Sequence, residues 1–483
     1  MDEFTLDPEN WDELRQLGHK MLDDMFDYIQ NVRERPVWIP PPKELKEKLE
    51  QSFPEKPQPR EEIYEEFKET VLPYPPGNIH PRFWGWVNGT GSAFGMLAEM
   101  ASAAMNSNTG GREHMPKYVE EIVISWSKEL MGYPHEASGV LTSGCSESSL
   151  IALTVARNFK LGPEARRKGM ISSKPLVFYA SKSTHSSIQK AIEILGVGSE
   201  NYRTIETNDQ MEIDVEKLQE EIIKDQEEGN IPCAVIANVG TVDTGAVDDL
   251  RSIRKICDEY NLWFHIDGAF GSIVKISEKY RDLVDGIELS DSLAFDFHKW
   301  MYVPYTVACV LVKFERLHRE SFSLRPSYLT EVQRGLGSGG RWPTEYGIQL
   351  SRPFYALKVW FMLKENGKEN YSKLVTQNME QARYLERKVE QEEFLEMLAP
   401  VKLNVVCFRF NPGNMSEDQL KDLNTEIVMQ LHESGEAAPS YTSVNGNFAI
   451  RLAITNHRSK ISDFDFLVER VIHRGRRIIE SMS

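Results

Sequence analysis

The sequence predicts an α/β protein in which a mostly parallel sheet is covered by helices on both faces. From about residue 80 to residue 352, short apolar runs bounded by turns alternate with segments of helical periodicity. Of the 483 residues, 41% are hydrophobic and 27% are charged, which allows a large core and two or more domains. Ligands of such sheets bind beyond the carboxyl ends of strands, so the residues that follow each strand are the candidate site.

The alternation of apolar runs and helical segments places the predicted elements. In the central part we expect strands over residues 175–180, 233–238, 262–266, 293–295 and 307–312, and helices over 186–195 and 248–260. Later we expect a helix through residue 363, a second through 389, strands over 403–410 and 447–454, and helices over 418–432 and 463–481. These elements predict a large α/β domain of residues 85–351 and a small α+β domain of residues 352–483.

Residues 1–84 are expected to form an N-terminal helical arm. Apolar residues recur at helical spacing from about Pro8 to Val32, and Asp7 before Pro8 is typical of a helix start. The proline-rich chain from residue 36 to residue 76 predicts an extended, stiff segment. An amphipathic helix on such a segment gains most by packing on a partner subunit, and packing on its own chain is the alternative.

Charge and cysteine content limit the partners and the compartment. The net charge of −17 argues against nucleic acid or an anionic membrane as partner. We see no signal peptide and no apolar run of membrane-spanning length. The five cysteines are widely spaced and form no CxxC motif, which disfavours a disulfide framework or a metal site. We therefore expect a cytoplasmic protein without a bound metal.

Lys299 is the main candidate for chemistry. It lies in the stretch Asp296-Phe-His-Lys-Trp300, at the end of an apolar run. Apolar surroundings remove hydration from an ammonium group, so we expect the pKa of Lys299 to be lowered and the neutral amine to be accessible. Such an amine forms Schiff bases with carbonyl groups, including the aldehyde of pyridoxal phosphate (PLP). A lysine that merely extends from a strand end into solvent is the alternative.

Two further residues that follow predicted strands suit a planar cofactor. Asp267 has small neighbours, and its carboxylate could keep a pyridine nitrogen protonated. An aspartate that caps a turn is the alternative. His185 begins a helix, where it could stack on a flat ring or cap the helix.

The segment from Leu141 to Ser149 is a candidate phosphate site. Small residues, among them Gly144, Cys145 and Ser146, lead into a helix, and N–H groups at a helix N-terminus bind phosphate. The segment is not a Walker loop, because no Gly-Lys-Ser/Thr follows. It is not a nucleophile elbow, because the second glycine is missing.

These features occur in the order phosphate cradle, stacking histidine, aspartate and lysine. The segments at residues 142–149, 183–187, 265–271 and 297–300 resemble the motifs of the group II PLP-dependent amino-acid decarboxylases, and most of all the aromatic-L-amino-acid decarboxylases. The likeness covers nearly the whole chain, and its most specific part is the His-Lys-Trp motif. The resemblance implies a fold type I PLP-dependent transferase-like fold, and a homodimer with active sites at the subunit interface.

The resemblance also implies a role for each matching residue around the cofactor. Lys299 would bond to the PLP aldehyde, Asp267 would pair with the pyridine nitrogen, and His185 would stack on the ring opposite Ala269. The remaining cofactor contacts would come from Gly144, Cys145, Ser146, Thr241 and His298.

Residues on the substrate side follow from the same resemblance. Tyr328 is similar to the tyrosine of the family's mobile catalytic loop, and would be the general acid that protonates the product carbon. The residues expected to bind the substrate are Trp84, Trp86, Val87, Asn88 and Arg352.

Some positions depart from the family pattern. Asp296 stands where asparagine is common, and because a second acid near a phosphate is unexpected, we expect Asp296 to point elsewhere. The stretch from Phe83 to Thr90 matches the substrate-lining stretch only loosely. Asn108 and Arg112 lie where aromatic-specific members carry larger apolar residues, so they could hold a polar side chain.

The motifs and the resemblance together predict PLP-dependent decarboxylation of an L-amino acid to an amine and carbon dioxide. The aromatic residues Phe83, Trp84 and Trp86 favour tyrosine, phenylalanine, tryptophan or a hydroxylated relative as substrate. The alternatives are a decarboxylase of glutamate or diaminobutyrate and an aldehyde synthase of the same family. An aminotransferase is disfavoured by the His-Lys-Trp context, and a non-catalytic α/β interaction protein is the alternative from another class.

Overall fold

A computed structural model describes residues 3–162, 164–170, 174–324 and 334–482. Seven strands form the larger sheet: β1 (Ser138–Thr142), β2 (Leu176–Ser181), β3 (Tyr202–Ile205), β4 (Ile231–Asn238), β5 (Trp263–Asp267), β6 (Ser292–Asp296) and β7 (Ala308–Val312). Their order is β1-β7-β6-β5-β4-β2-β3. Strand β7 runs in the direction opposite to the other six strands. The predicted mostly parallel sheet is therefore confirmed.

Both faces of the larger sheet are buried, and successive strand residues enter different cores. On β2, Phe178 packs into the core that contains α6 and α8, whereas Tyr179 packs into the core on the other face. Burial on both faces explains why these strands read as continuous apolar runs.

The helices are named in chain order. They are α1 (Trp11–Gln30), α2 (Lys43–Leu49), α3 (Arg60–Thr70), α4 (Ala93–Met105), α5 (Met115–Met131), α6 (Cys145–Leu161), α7 (Glu164–Lys168), α8 (Ser186–Ile194), α9 (Val215–Glu227), α10 (Leu250–Glu259), α11 (Glu315–Phe322), α12 (Tyr355–Glu390), α13 (Glu417–Glu433) and α14 (Ile461–Met482). Helix α12 is interrupted at Gly367, whose φ of 58° suits a residue without a Cβ atom. This break confirms the two predicted helices through residues 363 and 389. None of the helices in the described ranges could cross a membrane.

A smaller antiparallel sheet lies in the C-terminal part of the chain. Its strands are β8 (Leu395–Met397), β9 (Val405–Phe410), β10 (Ser440–Val444) and β11 (Asn447–Ala453), in the order β10-β11-β9-β8. Helices α12, α13 and α14 pack against it and close a second hydrophobic core. The predicted α+β character of this region is confirmed.

The N-terminal arm differs from its prediction in two details. Helix α1 begins later than expected, because the side chain of Asn10, rather than Asp7, accepts the N–H groups of Asp12 and Glu13. The proline-rich chain is not extended throughout, since it contains α2 and α3. Helix α3 is held against α1 by a hydrogen bond of 2.8 Å from the Tyr64 hydroxyl to Asp24.

Candidate active site

Four neighbouring parallel strands end at one cavity. The last residues of β2, β4, β5 and β6 are Ser181, Asn238, Asp267 and Asp296. Beyond them a cavity of about 260 Å³ opens, close to the lower size limit of small-molecule pockets, about 300 Å³. All nine predicted cofactor contacts line it, namely Gly144, Cys145, Ser146, His185, Thr241, Asp267, Ala269, His298 and Lys299.

Lys299 follows β6, and its ammonium faces two carboxylates. Its Nζ atom lies 3.0 Å from Oδ2 of Asp296. Burial on its own lowers the pKa of Lys299, but the charges of Asp296 and Asp267 outweigh burial, so the pKa is raised above its usual value. The expectation of a lowered pKa is therefore wrong, because the residues around Lys299 are acidic as well as apolar.

Asp267 ends β5 with its side chain in the cavity. Burial raises the pKa of Asp267, while the nearby Lys299 and the N–H of Ala269, 3.2 Å from Oδ1, act in the opposite direction. A carboxyl group here can face a ring nitrogen and still hold the turn after β5, so the predicted pairing and the turn-capping alternative are compatible.

His185 combines the two roles considered for it. As the N-cap of α8, it accepts the N–H of Ser187 at Nδ1, and Nδ1 lies 2.8 Å from the Ser187 hydroxyl. The ring borders the cavity on the side where β2 ends. Capping fixes the imidazole, and a fixed imidazole is suited to stack on a planar ligand.

The phosphate turn is capped in an unexpected way. Gly144 is the N-cap of α6 and has no side chain, and the N–H of Cys145 donates to Oδ1 of Asp296 at 2.9 Å. Asp296 therefore faces the cavity, and the expectation that it points elsewhere is wrong. A helix N-terminus and an ammonium group both attract a carboxylate, which explains its position.

His298 and Tyr305 form one wall of the cavity. Burial lowers the pKa of His298, and its Nδ1 lies 2.9 Å from the carbonyl oxygen of Val307. The rings of His298 and Tyr305 lie 4.6 Å apart between centroids. The Tyr305 hydroxyl accepts the N–H of Gly89 and donates to Oδ1 of Asn88 at 3.0 Å. Tyr305 thus connects the cavity to the stretch predicted to contact the substrate.

The predicted substrate residues divide into two groups. Trp84 is 1% exposed, stacks on Phe464 in the second core and donates to Ser459, so its prediction as a substrate contact is wrong. Val87 is buried in the main core, and its contact with the substrate stays a prediction. Trp86 is 61% exposed, and Asn88 bonds to Tyr305, so both stay predictions.

Arg352 is a structural residue. It is 3% exposed, and its guanidinium forms two hydrogen bonds with Glu120, of 2.7 and 2.9 Å. A third bond reaches the carbonyl of Leu141 in β1, three residues before Gly144, the N-cap of α6. Because these acceptors occupy the buried guanidinium, the prediction that Arg352 binds the substrate is wrong. Tyr328 lies outside the described residues.

Sequence reasoning missed part of the cavity lining. The missed residues are Ser187, Asn238, Gly240, Val242, Phe270, Tyr305 and Thr306. Asn238 carried a usable signal, since it ends a predicted strand in the same way as Asp267. Tyr305 carried none, because only the folded chain brings it beside Asn88.

A family model described as the pyridoxal-dependent decarboxylase conserved domain matches residues 42–411. The chain belongs to the pyridoxal-dependent decarboxylase family. The decarboxylase is 31% identical to an aromatic-L-amino-acid decarboxylase of Bacillus atrophaeus, over 93% of this chain and 92% of that protein. It is 30% identical to a phenylacetaldehyde synthase of Arabidopsis thaliana, over 93% of each chain. The crystal structure of Oryza sativa TDC with PLP and tryptamine shares the fold, with a TM-score of 0.90, 24% identity, and coverage of 98% of this chain and 100% of that one.

The decarboxylase is a PLP-dependent enzyme, and its cavity fits that cofactor. It offers a lysine amine for the aldehyde, a buried carboxyl group for the ring nitrogen and a helix N-terminus for the phosphate. Gly144 has no Cβ atom, so the space between this N-terminus and the His298 ring stays open. A Cβ atom on residue 144 would fill that space and lie 3.7 Å from the ring. Only the carboxylate of Asp296 conflicts with a phosphate group.

Proposed function

We propose that the enzyme decarboxylates an aromatic L-amino acid and that Lys299 carries its PLP. The observation that supports this proposal best is the juxtaposition of Lys299 and Asp267. They follow adjacent strands, β6 and β5, and both border the cavity that begins at the N-terminus of α6. An amine, an acid and a phosphate-binding turn in one cavity match the aldehyde, the ring nitrogen and the phosphate of PLP.

When bound, PLP holds the substrate nitrogen at its aldehyde carbon and draws the electrons of the breaking Cα–carboxylate bond into its ring. Asp267 keeps a proton at the ring nitrogen, so that the ring attracts those electrons. His185 packs on the ring and fixes its plane. His298 and the N–H groups at the start of α6 hold the phosphate, and Lys299 supplies its amine again when the product leaves.

The protonation of the product carbon is assigned to Tyr328. A phenol is a suitable general acid for a carbon that has just lost carbon dioxide. This step separates amine formation from aldehyde formation, because an unprotonated carbon can react with oxygen. The phenylacetaldehyde synthase relative makes the second outcome a real alternative.

The aromatic substrate is supported by the name of the Bacillus relative and by the side chains near the cavity. Tyr305 lines the cavity with a partly exposed ring, and aromatic rings favour aromatic partners. One polar alternative is weakened: Oδ1 of Asn108 accepts the N–H groups of Gly110 and Arg352, so it is not free to bind an ammonium group such as that of diaminobutyrate.

The assembly proposed for the enzyme is a homodimer with active sites at the subunit interface. Residues 1–84 form the arm that packs on the partner. Phe4 and Trp11 are 96% and 57% exposed, and of the α1 side chains only Leu17 is buried. An exposed apolar stripe of this kind is the pattern of an interface element.

The domain limits and the cellular compartment are also proposals. We assign residues 85–351 to the PLP-binding domain and 352–483 to the small domain, each with its own sheet. We assign the enzyme to the cytoplasm, where reduced thiols persist, because all five cysteines are free and buried.

The proposal is tested by measuring products from a panel of amino acids. Carbon dioxide, amine, aldehyde and peroxide are measured with tyrosine, phenylalanine, tryptophan, 3,4-dihydroxyphenylalanine, glutamate and 2,4-diaminobutyrate. We expect amine and carbon dioxide from one or more aromatic substrates. Turnover confined to glutamate or diaminobutyrate would overturn the aromatic assignment, and aldehyde as the main product would overturn amine formation.

A further inference from the structure

Asp296 is held by three contacts at the mouth of the cavity. Its carboxylate accepts the N–H of Cys145, pairs with Lys299 at 3.0 Å and lies 3.8 Å from Nδ1 of His298. The residue is 5% exposed, so little water screens its charge. The proposed site assigns the same three groups to PLP. The carboxylate of Asp296 therefore lies among the groups that would bind the cofactor.

The conflict is specific to the phosphate end of PLP. A helix N-terminus attracts an anion, and here the carboxylate of Asp296 already accepts the first N–H group of α6. A phosphate that binds at the same turn carries nearly two negative charges at neutral pH. It must approach Asp296 at close range in a buried site, where like charges repel strongly.

We propose that Asp296 is a positioning residue that sets the affinity for the cofactor by opposing its phosphate. Without PLP, Asp296 caps α6 and neutralises Lys299, so the empty site is stable and its positive groups are already paired. When PLP binds, Asp296 loses Lys299 as a partner and stays beside the phosphate. The enzyme therefore holds PLP less tightly than the same site with a neutral residue would. This inference rests on the proposed position of the phosphate at α6.

Replacement of Asp296 by asparagine isolates the charge. Asparagine has the same shape, and its Oδ1 can still accept the N–H of Cys145, so the cap of α6 is kept. Glu147→Gln is the matched control. Glu147 lies in the first turn of the same helix, but its carboxylate bonds to Ser143 and Gln349 and does not line the cavity.

The experiment uses ligands without an aldehyde, so that the chemistry of Lys299 does not enter the comparison. Dissociation constants of pyridoxine 5′-phosphate and of pyridoxine are measured by calorimetry on three PLP-free proteins: wild type, Asp296→Asn and Glu147→Gln. The ratio of the two constants gives the contribution of the phosphate. We expect this ratio to favour the phosphorylated ligand at least tenfold more in Asp296→Asn than in wild type, about 1.4 kcal/mol. In Glu147→Gln it changes less than twofold.

An unchanged or weaker preference for the phosphorylated ligand in Asp296→Asn would overturn the inference, and so would an equal gain in Glu147→Gln. The proposed site is tested separately in the same preparations, by the absorbance of covalently attached PLP and by mass spectrometry of the peptide labelled after borohydride reduction. Attachment of PLP to Lys299 with an unchanged ratio would overturn the role of Asp296 alone. Absence of attachment to Lys299 would overturn the proposed site as well.

Discussion

The carboxylate of Asp296 lies 3.0 Å from the ammonium of Lys299, and this pair links the end of β6 to the start of α6. A lysine must lose its proton before it can bond to an aldehyde. At any pH below the pKa of Lys299, the neutral fraction of its amine grows about tenfold for each unit by which the pH rises. The ion pair raises that pKa, so it makes the neutral fraction smaller than that of an ordinary lysine at the same pH.

This pair predicts a pH-dependent rate of cofactor attachment. Between pH 7 and pH 9 the rate of covalent PLP binding to the PLP-free enzyme should rise by up to about tenfold per unit. Asp296→Asn removes the charge that contributes most to the raised pKa, so attachment at pH 7 should be faster. Stopped-flow absorbance measures both rates. A rate that is independent of pH in wild type would contradict the raised pKa.

Asp267→Asn should separate cofactor binding from catalysis. The amide cannot keep a proton on the ring nitrogen, while Lys299 can still bond to the aldehyde. Since one pKa unit corresponds to about 1.4 kcal/mol, the loss of several units should lower kcat by at least about 100-fold with PLP still bound. Asp285→Asn, which removes an exposed carboxylate paired with Arg251, is the control. A normal kcat in Asp267→Asn would show that another residue holds the ring nitrogen.

Arg352→Met should affect stability rather than substrate affinity. The change leaves Glu120 buried without its ionic partner, which typically costs about 3–5 kcal/mol of the free energy of unfolding. Urea unfolding measures the loss, and Glu120→Gln/Arg352→Met should recover part of it. Unchanged stability together with a raised KM would contradict the structural role and restore Arg352 as a substrate contact.

In the described part of the chain, some strands and site residues could be predicted from the sequence and others could not. Strands such as β4 and β5 are buried on both faces and give apolar runs that were predicted. Four strands were not predicted, namely β1, β3, β8 and β10, and of these the edge strand β3 and the half-exposed β10 lack such a run.

Lys299, Asp267 and His185 could be selected because each comes after a predicted strand. The phosphate segment was predicted from small residues at a helix start, and the remaining cofactor contacts came from the family resemblance. The contact between Cys145 and Asp296 spans 151 positions, so the direction of Asp296 could not be derived locally. Its effect on the pKa of Lys299 depends on that direction, although Asp296 stands only three residues before Lys299. Trp84 was misassigned for the same reason, since its partner Ser459 lies 375 positions away.

The N-terminal arm should be required for assembly. Trp11→Asp places a charge in the exposed apolar stripe of α1, and burial of that charge in an interface is unfavourable. Light scattering should show a dimer for wild type and a shift toward monomer for Trp11→Asp. Gln16→Asp, at an exposed polar position of the same helix, should stay dimeric. An active wild-type monomer at assay concentration would refute the composite site.

The most direct test of the account is to identify the residue that carries PLP. The loaded enzyme is reduced with borohydride and digested, and the modified peptide is sequenced by mass spectrometry. We predict that the modification lies on Lys299, and that Lys299→Ala is folded but lacks both the label and turnover. Lys224→Ala, which removes an exposed lysine paired with Glu221, should keep both. A label on another lysine, or near-normal decarboxylation by Lys299→Ala, would contradict the account.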